Sequence, residues 1–409
     1  MKKISGGICS PKGFKAGGIW CGIKTNSEKK DLALICSEKE CNAAAVFTTN
    51  RVKAACVQVS RDHLANGKLR AIIANSGNAN ACTGEEGLAA ARRMAELAAG
   101  ELGIDPGEVA VASTGVIGVP LPIAVIEKNI SNLANNIRDD EDGHAAALEA
   151  IMTTDGRKKE IAVEFEIGGF PVRIGGMAKG AGMIHPNMAT MLCFLTTDAA
   201  IDSASLGTAL RRAVKRSFNR VTVDGDTSTN DMVIIAANGE AAGPAITEGS
   251  GEYEIFAAAL ESCCVSLARA IARDGEGATK LVTVTVDGAP DEQTAETLAK
   301  SVASSSLVKT ACFGADANWG RILCAMGYSG GDFDPEQTAV TFKSPAGEIL
   351  VFSNGMPHPF SEAEAKKILN EEEIEILIKI GAESLGGKAT VWGCDLTYDY
   401  VKINGDYRT

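Results

Sequence analysis

Histidine is nearly missing from this sequence, with four in 409 residues (His63, His144, His185 and His358). None sits near a cysteine at zinc-ligand spacing, which argues against a metal site. Aromatic residues are also few, at 5%, whereas glycine occurs 44 times; this predicts tight turns and close backbone approaches in place of a large aromatic core. Positive charge is in deficit, with 40 Lys and Arg against 52 Asp and Glu, a net charge of -12 and a pI near 5.0. Such a balance argues against duplex nucleic acid or an anionic membrane surface as partner. No run approaches the ~18 apolar residues of a membrane helix. The opening segment Met1–Gly7 carries two lysines without an apolar stretch behind them, so no secretory signal is read there. Phosphate-binding glycine loops are absent too, because Gly180-Ala181-Gly182 lacks the third glycine and no lysine-containing P-loop occurs.

What is present is an ordinary globular composition, 45% hydrophobic and 22% charged. The length is enough for two or three domains. Twelve cysteines are scattered from Cys9 to Cys394, with only Cys263 and Cys264 adjacent, and read as reduced core residues of a cytoplasmic protein. Asp224-Gly225-Asp226-Thr227-Ser228 begins like a calcium loop but has Thr229 and Ile235 where glycine and glutamate belong. Gly327-Tyr328-Ser329-Gly330-Gly331 matches a nucleophile elbow, yet a turn sequence follows the serine instead of a helix.

Strand-like and helical segments are mixed throughout, which predicts an α+β chain. Residues 69–74 read as a strand ending in the turn-rich 75–80, and Thr83 and Glu86 have capping-box spacing before a helix through Leu88, Ala91, Ala95, Ala98 and Leu102. Leu206, Leu210, Val214 and Phe218 predict a second helix and Leu260, Cys264, Leu267 and Ile271 a third. Val221-Thr222-Val223 and 282–286 read as β-branched segments after them, 340–342 and 349–352 as a strand pair, and 361–380 as a charged helical run. The segments 389–392 and 398–403 close the chain, and the order of segments suggests a domain boundary near 280.

The most informative stretch is Lys179-Gly180-Ala181-Gly182-Met183-Ile184-His185-Pro186-Asn187-Met188-Ala189-Thr190-Met191-Leu192-Cys193-Phe194, where a glycine-rich entry runs through a proline into an apolar segment. Read alone, Thr190 is a β-branched residue opening a strand. The stretch nevertheless resembles the cleavage-site motif of the ornithine acetyltransferase/glutamate N-acetyltransferase family of arginine biosynthesis. Further similar blocks run in family order: Gly13-Phe14 with Gly22-Ile23-Lys24, Ala74 to Gly84, Ala112-Ser113-Thr114-Gly115-Val116-Ile117-Gly118, Ser217 to Asp226, Ala272 to Lys280, Asn318-Trp319-Gly320-Arg321-Ile322, and Asn404 to Thr409. They span nearly the whole chain.

The resemblance implies self-cleavage between Ala189 and Thr190, giving an α chain (1–189) and a β chain (190–409) whose new N-terminal Thr190 is the nucleophile and carries the acetyl group. A free hydroxyl is a weak nucleophile near neutral pH; the cut creates an amine beside it that can take its proton, although the base remains open. Thr114 and Gly115 match the oxyanion-stabilising pair. Lys179 and Glu276 match charged substrate contacts, and Thr153 or Thr154, Asn404 and Thr409 match neutral ones. Gly156 stands where the family commonly has a threonine, so the local loop conformation is open. The implied fold is the αββα sandwich of self-processing aminopeptidases, as a catalytic core of 1–280, with an additional C-terminal α/β region of 281–409 completing the substrate pocket. The implied reaction takes acetyl from N-acetylornithine to glutamate, without a cofactor, with acetyl-CoA as a further possible donor and a heterotetramer of two α and two β chains. An N-terminal-nucleophile aminopeptidase or amidohydrolase is the competing reading, and an uncut non-catalytic scaffold a third.

Overall fold

A computed structural model describes residues 1–25, 27–185, 191–381 and 386–405. Nine strands make the first sheet: β1 (Lys2–Lys3), β2 (Phe14–Ile19), β3 (Leu32–Phe47), β4 (Lys68–Asn78), β5 (Val109–Val116), β6 (Lys159–Ile167), β7 (Phe170–Lys179), β8 (Leu192–Thr197) and β9 (Met232–Ala237). The long β3 folds this sheet into two layers. Its first half, Leu32–Cys36, pairs with β4, and its second half, Asn42–Phe47, pairs with β9, with a register break between Cys36 and Cys41.

Alternation along β8 shows how the layers stack. Leu192 and Phe194 join the core built around β4, β5 and the helices α1 (Ala55–His63), α2 (Gly84–Leu102), α3 (Ile123–Asn135) and α4 (Glu141–Ile151). Cys193 and Leu195 point the other way, into a core shared with α5 (Ser203–Arg216) and α6 (Gly251–Arg273). Opposite faces of one strand thus bury two cores. The result is an αββα sandwich.

The second sheet is drawn from the later sequence: β10 (Leu281–Ala289), β11 (Thr338–Ser344), β12 (Gly347–Ser353), β13 (Met356–Pro357), β14 (Glu373–Ile380) and β15 (Gly387–Cys394). It packs with α7 (Glu292–Ser304), α8 (Ser306–Phe313), α9 (Trp319–Gly327) and α10 (Glu362–Leu369) around a third core, and α11 (Tyr398–Asn404) follows.

Several local expectations are corrected. The charged run 361–380 is a short helix, α10, followed by the strand β14, because Ile374, Ile376, Ile378 and Ile380 alternate at period two and are buried between β10 and β11. Thr83 does cap α2 by position, but its hydroxyl donates to Asn80 Oδ1 at 2.8 Å, so no capping box forms. Strand β4 runs on through the turn-rich sequence to Asn78, held by its pairing with β5. Val221–Val223 is no strand, and keeps only one bridge to Trp392. Helix α6 is, by length and composition, long and apolar enough to cross a membrane. Phe256, Leu260, Cys264, Leu267 and Ile271 are nevertheless buried against the sheet, as in a core helix. Ten of the twelve cysteines are buried and none is bridged; only Cys82 and Cys324 are exposed.

Candidate functional site

Strands β5 and β7 end, and β8 and β9 begin, at one end of the sandwich, and the family-matched residues gather there. Parallel pairing sets Thr114 beside Ser76 and Gly115 beside Gly77. Gly115 has φ 135°, and a Cβ on it would stand 2.3 Å from the Gly77 carbonyl carbon, so only glycine lets these two backbones approach. Asn230, just before β9, braces the same corner by donating its amide to the carbonyls of Ala79 (2.6 Å) and Ser113 (2.8 Å).

Lys179 closes β7 with only 3% of its surface exposed, and its Nζ donates to the Thr114 hydroxyl oxygen at 3.2 Å. Burial lowers the ammonium's pKa; the carboxylate of Asp155 is the largest influence opposing that. By accepting from Lys179, Thr114 leaves its own O–H free to donate into the cavity.

Glu276 enters from the loop after α6. Its N–H donates to the Ala181 carbonyl at 2.9 Å, and its Oε2 accepts from Asn404 Nδ2 of α11 at 2.8 Å. Thr114, Gly115, Thr153, Thr154, Lys179, Glu276 and Asn404 all line one cavity of about 100 Å³. An ammonium and a carboxylate therefore share a small chamber with a hydroxyl and a glycine turn, which suits a zwitterionic ligand. Thr153 and Thr154 both line it, so the geometry retains both. Ala189, Thr190 and Thr409 lie outside the described residues.

The segments flanking 186–190 are each held by a carboxylate. Asp224 accepts the N–H groups of Met183 (2.6 Å) and Ile184 (2.8 Å), and Asp231 Oδ1 accepts that of Met191 at 2.9 Å. Asp231 is wholly buried, and burial drives its pKa well above the usual carboxylate value. Asp155, Asn230 and Asp231 are missed by motif reasoning. The one signal for the last two is a polar run, 224–231, set directly before an apolar strand. Gly182 also gains a role: a Cβ there would collide with the Glu276 carboxylate at 2.3 Å.

Residues 15–409 match the model of the ArgJ family. The chain is 53% identical over 410 residues to the arginine biosynthesis bifunctional protein ArgJ of Symbiobacterium thermophilum, covering 100% of both proteins. It is 49% identical over 408 residues to the protein of that name from Bacillus subtilis, covering 100% of this chain and 98% of that one. A crystal structure of arginine biosynthesis bifunctional protein argJ from Bacillus halodurans aligns with 52% of this chain and 97% of its own, at 47% identity and a TM-score of 0.49.

Proposed function

Because this chain belongs to the ArgJ family, we propose that it is a self-processing acetyltransferase of arginine biosynthesis, carrying acetyl from N-acetylornithine to glutamate through an acetyl ester on Thr190. The observation that carries this reading is the pairing of Lys179 and Glu276 across a cavity that also holds Thr114 and Gly115.

In the first half-reaction the Thr190 hydroxyl oxygen bonds to the acetyl carbonyl carbon, and the carbon–nitrogen bond breaks. Ornithine leaves as the amine, taking up a proton. In the second half-reaction the amine of glutamate attacks the ester and Thr190 regains its proton. Negative charge on the carbonyl oxygen in both steps is met by the Thr114 O–H and Gly115 N–H. Lys179, polarising Thr114, also attracts the α-carboxylate common to both substrates, while Glu276 attracts the ammonium of N-acetylornithine. Thr153, Thr154, Asn404 and Thr409 add neutral hydrogen bonds. Self-cleavage uses the same hydroxyl on the Ala189 carbonyl, and the region 281–409 completes the pocket through Asn404.

No cofactor enters this scheme. A groove of about 590 Å³, bordered by Lys24, Lys29, Val119 and Pro120, adjoins the cavity at Gly115, Thr153 and Thr154. It gives a donor with a longer leaving group, such as acetyl-CoA, room to reach the same position. The proposed assembly is two α and two β chains, and twelve unbridged cysteines suit the reducing cytoplasm.

The deciding experiment mixes purified protein with N-acetylornithine, with and without glutamate. Ornithine release that depends on glutamate, with matching N-acetylglutamate, is expected; release indifferent to glutamate would establish the hydrolase instead. Acetyl-CoA and glutamate as sole substrates test the second donor, and sedimentation tests the assembly.

A further inference from the structure

Buried charge beneath the cavity is more extensive than substrate binding requires. Asp155 lies in the loop between α4 and β6 with its side chain fully buried. Its Oδ1 accepts the Gly180 N–H at 2.7 Å and the Lys159 ammonium at 2.7 Å, while Oδ2 accepts the Thr153 N–H at 2.9 Å. Gly180 directly follows Lys179, so a single carboxylate fixes the backbone of two walls of the cavity.

Lys159, 1% exposed, reaches onward to Asp274 Oδ2 at 2.5 Å. Asp274 in turn accepts the N–H groups of Gly156 (3.0 Å) and Arg157 (3.1 Å), and stands two residues before Glu276. A Cβ at Gly156 would sit 3.1 Å from Asp274 Oδ1, a tight contact that a larger residue meets only if the carboxylate shifts. The network ties the cationic wall, contributed before residue 190, to the anionic wall contributed after it.

We propose that Asp155 is the positioning residue of the cavity, acting through the Gly180 and Thr153 N–H groups, with its own carboxylate set by Lys159, to hold the Lys179 ammonium in place for the substrate carboxylate. The proposal rests on the reading of this cavity as the substrate site. The other titratable groups that act on Lys179 are Lys159, Asp231 and Glu276, and its charge in turn acts on Lys24. Lys159 and Lys179 are both buried cations; removing Asp155 leaves Lys159 to Asp274 and takes from Lys179 the largest influence that favours its charged form.

The test is Asp155→Asn, which keeps the shape and an acceptor oxygen but removes the charge. Two measurements separate the proposal from the function it rests on. Side-chain NMR of labelled lysine, with Lys179→Arg for assignment, should show Lys179 titrating at lower pH in D155N than in the wild type. An unchanged titration overturns the proposal whether or not the protein transfers acetyl. Steady-state kinetics should show KM for N-acetylornithine and glutamate raised by about tenfold or more, equivalent to ~1.4 kcal/mol, with kcat altered less. Wild-type KM in D155N, or a loss in kcat alone, also overturns it. If D155N fails to fold, the charge-balanced pair Asp155→Asn with Lys159→Met replaces it. That pair should fold with Lys179 titrating below the wild-type pH, because the influence of Asp155 on Lys179 outweighs the opposing one of Lys159; a titration at or above the wild-type pH overturns the proposal. Wild-type protein that moves no acetyl refutes the function and leaves the titration to decide Asp155.

Discussion

Replacing Gly182 by alanine puts a methyl group in place of a hydrogen at a point where the cavity has no space for it. The new Cβ would stand 2.3 Å from Glu276 Oε2 and 2.5 Å from its carboxyl carbon. Favourable separations begin near 3.5 Å, so the carboxylate must retreat by about 1 Å. Retreat breaks its 2.8 Å hydrogen bond from Asn404 and misaligns the charge proposed to meet the substrate ammonium. A hydrogen bond to a charged group contributes roughly 1.5–3 kcal/mol, which corresponds to a rise in KM of about ten- to a hundredfold. Gly182 is not among the residues of positive φ, so alanine brings no backbone strain, and the melting temperature should fall by only the few degrees that the lost Asn404 hydrogen bond accounts for. The assay is the initial rate of N-acetylglutamate formation with N-acetylornithine varied at saturating glutamate. Combined with Glu276→Ala, the substitution should add nothing further, because its effect runs through that carboxylate. An unchanged KM, or additive losses in the double variant, would refute the reasoning.

Four more outcomes can be checked, the first resting on the proposed cleavage and not on the structure. Thr190→Ala should persist as one full-length band on a denaturing gel; cleavage at that bond would remove Thr190 as the cutting nucleophile. Thr114→Ala should lower kcat about 10²–10³-fold through loss of an oxyanion donor, and near-normal turnover would take Thr114 out of the mechanism. Ile376→Ala, in the buried strand β14, should destabilise the fold by about 2–5 kcal/mol in chemical denaturation, whereas a solvent-facing helical position would lose far less. Lys24 donates to the carbonyls of Lys30 and Met152, and burial lowers its pKa from 10.5 to about 8. The folded state therefore releases this proton before the unfolded one does. Wild-type stability, measured against Lys24→Met, should rise between pH 8 and 10.5; a difference flat across that window would count against a lowered pKa.

How much was legible depended on whether the signal was local. The periodicities of α2, α5 and α6 and of β10 are written in consecutive residues, and sequence reading recovers them. The run 361–380 misleads because its charged residues suit an exposed helix, while the alternation of Ile374 to Ile380 is recognisable as a strand only once two neighbouring strands cover both edges. Thr83 misleads for a related reason: its hydroxyl has a competing acceptor in Asn80, which spacing to Glu86 does not reveal.

The chain by itself determined its composition class, its mixed α and β character and, through ordered motifs, its family. Those motifs are legible because reacting groups must be of fixed chemical type. Only the tertiary structure decided that β3 is shared by two layers, that a Cβ at Gly182 would strike Glu276, and that Asp155 underlies both cavity walls. Each of these is a matter of distance between residues far apart in sequence. A carboxylate such as Asp155 carries no mark of its role until folding buries it against two lysines and removes the water that would otherwise screen them.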